Sequence, residues 1–174
     1  MSEQLKKQTP KLAFHPNMSV PLRGVPHKIK HCPKKRGVVW LEEGTDEPVI
    51  CVSGNDAHIE RRLKDWLKKQ ARADLQSCAQ KYSDLLGLEF ERISLRDQSS
   101  RWGSCSSKGN LSFSWRLILA PPDVLDYVAA HEVAHLIEMN HSKSFWDIVK
   151  KLKPDYQTHT KWLKKNGHKL HQYF

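Results

Sequence analysis

A chain of 174 residues is long enough for one domain with a hydrophobic core and too short for two of ordinary size. Hydrophobic residues make up 39% of it and charged residues 28%. Because no apolar run approaches the roughly 20 residues of a membrane-spanning helix, a membrane protein is not expected. The formal net charge of +10 suits polyanionic partners such as nucleotides or nucleic acid. Solvated helix faces explain that charge slightly better, since no basic run has regularly interleaved aromatic residues.

The N-terminal residues and the cysteines are relevant to the cellular location of the protein. The first residues lack the charged-then-apolar layout of a secretory signal peptide, so we expect a cytoplasmic protein. Residues 1–10 are predicted to be a polar tail and residues 11–174 a single domain. No pair of cysteines forms a C-x-x-C motif, which predicts free thiols at Cys32, Cys51, Cys78 and Cys105.

Short strands, expected to be antiparallel, begin the domain. One starts at Val20-Pro-Leu-Arg-Gly, a second covers Gly37–Leu41 and a third covers Pro48–Val52. The breaks between these strands, Pro33-Lys-Lys-Arg-Gly and Glu43-Gly-Thr-Asp, are typical of turns.

A long helix follows, and then a strand and a hairpin. Apolar residues recur at helical spacing from Asp56 to about Leu86, and Gly87 is a suitable helix end. Residues 90–95 alternate approximately as a strand does. Residues 101–115 read as a hairpin that turns at Lys108-Gly109-Asn110.

Three helices are predicted in the remainder of the chain. The first begins at Pro121-Pro122-Asp123, because proline fixes φ in a first turn and aspartate faces the positive end of the helix dipole. It runs into the segment 131–135. Further helices are predicted to begin near Ser144 and near Pro154.

The segment His131-Glu-Val-Ala-His135 is an HExxH motif on a predicted helix. Residues four apart lie on one helix face, so both imidazoles can bind one metal ion. Glu132 lies beside them and can take a proton from a water molecule that attacks a carbonyl carbon. The pattern predicts a metal-dependent hydrolase, with zinc as the metal.

A catalytic zinc ion usually has three protein ligands. His141 lies six residues beyond His135, at the spacing of metzincins, although Glu138 stands where those enzymes have glycine. Asn140 tolerates a left-handed conformation and could end the helix there. His141 is the preferred third ligand, and Glu138 and Asp147 are the alternatives. Tyr156 and His159 follow the site and could donate a hydrogen bond to a developing oxyanion, although packing is the favoured role for both.

The motifs from Arg101 to Tyr156 resemble the YgjP-like metallopeptidase domain, a zincin family similar to the SprT and WLM metallopeptidases. The residues that carry the resemblance are Arg101-Trp-Gly-Ser-Cys-Ser, Trp115-Arg-Leu-Ile, Ala120-Pro, Asp126-Tyr-Val, His131-Glu-Val-Ala-His-Leu, Asn140-His-Ser, Phe145-Trp and Pro154-Asp-Tyr. The likeness extends more loosely over Val20 to Leu163.

That resemblance implies one zincin-like α+β domain, in which the N-terminal strands and the hairpin pack with an active-site helix and C-terminal helices. It implies zinc on His131, His135 and His141, with Glu132 catalytic. It also draws attention to Arg101, which could bind a substrate carboxylate or phosphate, or pair with an acidic residue and pin the hairpin. Cys105 is interpreted as a buried thiol.

The leading hypothesis is a zinc metallopeptidase that acts on peptides or proteins. One alternative keeps the site but hydrolyses the phosphoanhydride bond of a nucleotide, with Arg101 and lysines on the phosphates. It is weaker, because three histidines favour zinc over magnesium. Another alternative is a nucleic-acid-associated protein with SprT-like activity. The sequence does not predict an oligomeric state.

Overall fold

The computed structural model describes residues 10–35 and 38–174. In chain order its elements are β1 (Ser19–Leu22), β2 (Val25–His31), β3 (Val39–Glu42), β4 (Val49–Val52), α1 (Ile59–Leu86), β5 (Arg92–Arg96), β6 (Gly103–Cys105), β7 (Asn110–Ser114), α2 (Pro122–Ala134), α3 (Lys143–Leu152) and α4 (Tyr156–Leu170). Short 3₁₀ helices cover Asp56–His58 and Trp115–Leu119. These elements share one hydrophobic core, so the predicted single α+β domain is confirmed.

Four N-terminal strands form the first sheet, in the order β1-β2-β4-β3. The pair β3–β4 is antiparallel, as predicted, and β1 is antiparallel to β2. The expectation of antiparallel strands is wrong for the central pair, because β2 and β4 run parallel, with Ile29 opposite Ile50. The strand β2 was not predicted at all. Its sequence, VPHKIKH, is mostly polar, and only Ile29 in it is buried.

The long predicted helix is confirmed as α1. Its buried face consists of residues at helical spacing, among them Leu63, Leu67 and Leu75. Gly87 ends it in the left-handed region, at φ 66°, which glycine adopts without steric cost. The helix packs against α2, so it forms one side of the core that supports the site.

The second sheet has three strands in the order β5-β7-β6. The predicted hairpin is confirmed as the antiparallel pair β6–β7, and Gly109, at φ 80°, lies in its turn. The strand β5 pairs in parallel with β7. As a result β6 is an edge strand, and it packs against α2.

The helix α2 lies at the centre of the C-terminal half, in contact with α1, α3, α4 and β6. Ten of its thirteen residues are buried, so it is apolar around most of its circumference. Asp126 is among the buried ones and accepts hydrogen bonds from Tyr82 Oη, Lys81 Nζ at 2.6 Å and Lys153 Nζ at 3.1 Å. That buried carboxylate ties α2 to α1 and to the end of α3, which fixes the helix on which the motif lies.

The predicted start of α2 is confirmed, but its end differs from the expected position. The helix ends at Ala134, and His135 is its C-terminal cap. Asn140 is not left-handed, since the non-glycine residues with positive φ in the described chain are Asn17, Arg23 and Phe174. The chain instead turns through hydrogen bonds from the amides of Ile137 and Glu138 to the carbonyl of Ala134, at 3.1 and 3.2 Å.

The helices predicted near Ser144 and Pro154 are confirmed as α3 and α4. No helix in the part of the chain that the structure describes has both the length and the apolar character needed to cross a membrane. The polar tail falls almost wholly on residues 1–9, which lie outside the described residues, as does Gly37 of the second predicted strand. The four cysteines are free, as predicted.

Candidate metal centre

Three of the predicted site residues converge on one point. His131 is in the last turn of α2, His135 caps that helix, and His141 lies just before the cap of α3. The Nε2 atoms of His131 and His141 are 3.2 Å apart. One ligand nitrogen from each of the three histidines lies within 4.8 Å of the others. The turn after α2 therefore brings His141 back to the two helix histidines.

The donor set and its spacing fit zinc. Two nitrogens bound to a tetrahedral zinc ion at its usual bond length lie about 3.3 Å apart, close to the observed separation of His131 and His141. Burial, and then the neighbouring His135 and His141, lower the pKa of His131 to about 3, and burial also lowers the pKa of His135. A neutral imidazole has a free nitrogen lone pair, and it is this uncharged form that binds a metal ion. Three nitrogen donors favour zinc over magnesium or calcium.

The ring orientations of the two helix histidines are set by their other nitrogens. His135 Nδ1 donates to the carbonyl of Glu138 at 3.0 Å, and its ring stacks on Phe145 with centroids 4.3 Å apart. His131 Nδ1 lies 3.4 Å from Tyr127 Oη. With Nδ1 engaged in this way, Nε2 of each ring is left for the metal.

Glu132 is buried beside the histidines, with Oε1 3.9 Å from His131 Nε2. Burial raises its pKa to about 8, and the positive charge of Arg101 opposes that rise. Opposite it lies Gly103 of β6, where a Cβ atom would be 2.8 Å from Glu132 Cγ and 3.0 Å from Oε1. The carboxyl group therefore lies between the histidines and a strand so close that a side chain at Gly103 would force Glu132 to shift.

An open cavity of about 740 Å³ contains these residues. One wall is the segment from Arg101 to Cys105, and the other walls come from α2, the turn after it, α3 and α4. Apart from the site residues the lining is largely aromatic and aliphatic, and it includes Trp102, Tyr127, Val128, Met139, Trp146 and Leu163. The cavity thus has room for a substrate segment next to the histidines and Glu132.

The alternative third ligands are not at the cluster. Among the described residues the group that could hold a metal consists of His131, His135 and His141, and neither Glu138 nor Asp147 belongs to it. Cys105 lines the cavity, but burial and the nearby Glu132 raise its pKa to about 11, so it remains a protonated thiol at neutral pH.

Tyr156 and His159 are not among the residues that line the cavity. The ring of Tyr156 stacks on Trp146, with centroids 5.4 Å apart. His159 is buried, with Nε2 2.9 Å from Asp155 Oδ2, and its ring stacks on Tyr127. Both residues support the walls of the cavity, which favours the packing role for them.

Arg101 lines the cavity, and its side chain is exposed. Within residues 10–35 and 38–174 it forms no hydrogen bond and no ion pair, so the predicted pairing that would pin the hairpin is not observed. Trp102 pins the hairpin instead. Its ring lies 5.2 Å from that of His171, and it packs so closely on Gly167 that a Cβ there would be 2.9 Å from Cζ2.

Sequence reasoning missed Tyr127, which shapes the site, and did not foresee the contact between Gly103 and Glu132. Tyr127 is four residues before His131, and that spacing could have placed it on the same helix face. The role of Gly103 depends on a strand meeting a helix about thirty residues away, and no local pattern signals such a contact.

Comparison with known proteins identifies one family. The model of the family described as "YgjP-like, metallopeptidase domain" matches residues 1–166. No curated protein matches the chain. A solved structure, the crystal structure of the metallopeptidase zymogen of Pyrococcus abyssi abylysin, is 22% identical with a TM-score of 0.47. That similarity covers 52% of this chain and 93% of that one, and it adds no argument to the family match.

Proposed function

We propose that the chain, which belongs to the YgjP-like metallopeptidase family, is a zinc-dependent peptidase. His131, His135 and His141 hold the zinc ion, and Glu132 is the general base. One observation carries the proposal. Three histidines meet beside a buried carboxyl group in the wall of an open cavity.

Each residue of the site has its own role in amide hydrolysis. When bound, zinc supplies a Lewis acid that polarises a carbonyl group and makes water more acidic. Glu132 accepts a proton on a carboxylate oxygen from the attacking water and later donates it to the nitrogen of the leaving amine. The positive charge of Arg101 opposes part of the rise that burial causes in the pKa of Glu132, and so favours the ionised form that this role needs. Trp102, Trp146 and the other apolar lining residues bind substrate side chains and exclude water.

The cavity favours a peptide over a nucleotide. Hydrolysis of a nucleotide requires several cationic groups around its phosphates. Arg101 is the one lysine or arginine among the residues that line the cavity, whereas apolar side chains are numerous there. We therefore propose peptides, or disordered segments of proteins, as the substrates.

The test combines metal analysis with two assays on one preparation. We expect about one zinc ion per chain in the wild-type protein and in Glu132→Gln, and less in His135→Ala. Peptide hydrolysis should fall roughly 100- to 10,000-fold in Glu132→Gln because the general base is lost. A mixture of unstructured peptides and a set of nucleoside triphosphates are assayed side by side. Failure to take up zinc, or turnover of nucleotides without peptides, would contradict the proposal.

A further inference from the structure

Arg101 stands at the cavity on a backbone that is firmly held. The next residue, Trp102, accepts a hydrogen bond on its carbonyl from the amide of Ser114 at 2.8 Å, and its ring packs against Gly167 and His171. Gly103 then contacts Glu132. Gly103 is two residues after Arg101, and two residues span at most about 7 Å even when fully extended, so the long side chain of Arg101 starts within reach of the space beside Glu132.

Among the described residues the guanidinium group of Arg101 has no hydrogen-bond or ion-pair partner, unlike that of another arginine near the same sheet. Arg116, just after β7, is 2% exposed, and it donates to Asp97 and to the carbonyls of Leu170 and Phe174. Arg101 donates to no described residue, and its charge acts on the site as a favourable interaction with Glu132. Arg116 therefore has a structural role, whereas the donors of Arg101 remain available to a ligand.

The charged residues that line the cavity indicate the sign of the charge on that ligand. Glu132 is the one acidic residue in the lining, and it is buried and engaged beside the histidines. Among the residues that the structure describes, no other carboxylate lines the cavity to neutralise Arg101. A guanidinium group binds a carboxylate with two parallel hydrogen bonds, and such charge-assisted bonds are stronger than neutral ones.

We infer that Arg101 binds a substrate carboxylate close to the scissile amide bond, either the free C-terminal carboxylate of a peptide or the side chain of aspartate or glutamate. This inference rests on the proposed function, because it assigns a substrate class to the same site. A phosphate ligand is less favoured, since no lysine lines the cavity beside Arg101.

The kinetic experiment uses zinc-loaded protein and two pairs of N-acetylated peptides of otherwise identical sequence. One pair ends in a free carboxylate or in an amide, and the other pair is amidated and carries glutamate or glutamine next to the cleaved bond. Cleavage sites are identified by mass spectrometry. We expect kcat/KM to be roughly 10- to 100-fold higher for the carboxylate member of one pair, and that pair identifies the source of the carboxylate.

Variants connect the preference to the residue. Arg101→Gln should remove the preference, and Arg101→Lys should retain only part of it, because an ammonium group lacks the planar fork. The control is Arg92→Gln, which removes the same charge from an exposed arginine on β5 outside the cavity and should keep the full preference. Thermal unfolding and zinc content are measured for every variant.

A binding measurement separates recognition from turnover. Metal-free Glu132→Gln should bind the preferred carboxylate peptide more tightly than its neutral partner, and adding Arg101→Gln should abolish that difference. Peptide hydrolysis without a carboxylate preference, or a preference that survives Arg101→Gln, overturns this inference and leaves the proposed function intact. Absence of peptide hydrolysis overturns both, and nucleotide hydrolysis that depends on Arg101 would assign the residue to a phosphate.

Discussion

The two sides of the metal centre are held in different ways. His131 and Glu132 belong to a helix that is buried on nearly all sides and anchored through Asp126, and His135 caps the end of that helix. His141 is exposed and lies in a turn that ends where Ser142 caps α3 by accepting a hydrogen bond from the amide of Phe145. The helix positions the two proposed ligands His131 and His135 before any metal binds, whereas the proposed third ligand, His141, depends on a short connection that folds back over them.

The largest expected effect tests this difference directly. His135→Ala leaves one helix ligand and one turn ligand, whereas His141→Ala leaves the two preorganised ligands of α2. Loss of a hydrogen-bond partner of a metal ligand already weakens metal binding roughly 10- to 100-fold. We expect His135→Ala to lower zinc affinity by more than about 100-fold, and by more than His141→Ala does. Competition with a chelator measures the affinity of each variant.

The control for that pair is His31→Ala, because His31 is a half-buried histidine on β2 that contacts Gly54 and Asp56 and lies outside the cavity. It should change stability without changing zinc affinity. Equal losses for His135→Ala and His141→Ala would show that the helix confers no advantage over the turn.

The second prediction concerns Glu132, which is buried on α2 beside the helix histidines. Its burial should make the free energy of unfolding of the metal-free protein depend on pH. Its pKa is raised from an ordinary value of 4.5 to about 8, so the folded state keeps a proton that the unfolded chain releases in this range. The stability that this proton confers is complete below pH 4.5 and is lost as the pH rises through about 8. At roughly 1.4 kcal/mol per pH unit, the loss amounts to several kcal/mol.

Denaturant titrations of metal-free protein between pH 5 and 8.5 measure that loss. The difference in free energy of unfolding between wild type and Glu132→Gln should fall steadily with pH, because the amide cannot ionise. Glu89→Gln, at an exposed position after α1, should follow the wild type. A constant difference between wild type and Glu132→Gln would mean that the carboxyl group is solvated in the metal-free protein.

The same contrast explains what the sequence could predict. The helix, its two histidines and Glu132 are related by short spacings, so a local pattern specifies them. The start of α3 was predicted from the residues around Ser144, and Ser142 does supply its cap. The position of His141 followed from a spacing, but the predicted way of turning, through a left-handed Asn140, was wrong because the chain leaves the helix five residues earlier.

Features formed by distant segments were harder to predict. The parallel pairing of β2 with β4 brings together strands separated by β3, and the polar sequence of β2 gives no sign of a central strand. The closeness of Gly103 to Glu132 depends on how an edge strand meets α2. Such contacts are set by packing of the whole domain, and a single sequence reports them only where a family resemblance supplies them.

The smallest of the three effects comes from β6, the strand that packs against α2 beside Glu132. Gly103→Ala places a Cβ within about 3 Å of Glu132, so the carboxyl group must shift, whereas none of the three histidines is among the nearest neighbours of that Cβ. Displacing a reacting group by about 1 Å costs up to roughly 100-fold in rate. We expect kcat/KM for peptides to fall about 10- to 100-fold with zinc content unchanged.

Ser112→Ala, on the neighbouring strand β7, serves as the control. Full activity in Gly103→Ala would show that Glu132 works from a position other than the one held by β6, whereas loss of zinc would show that the strand also supports the histidines.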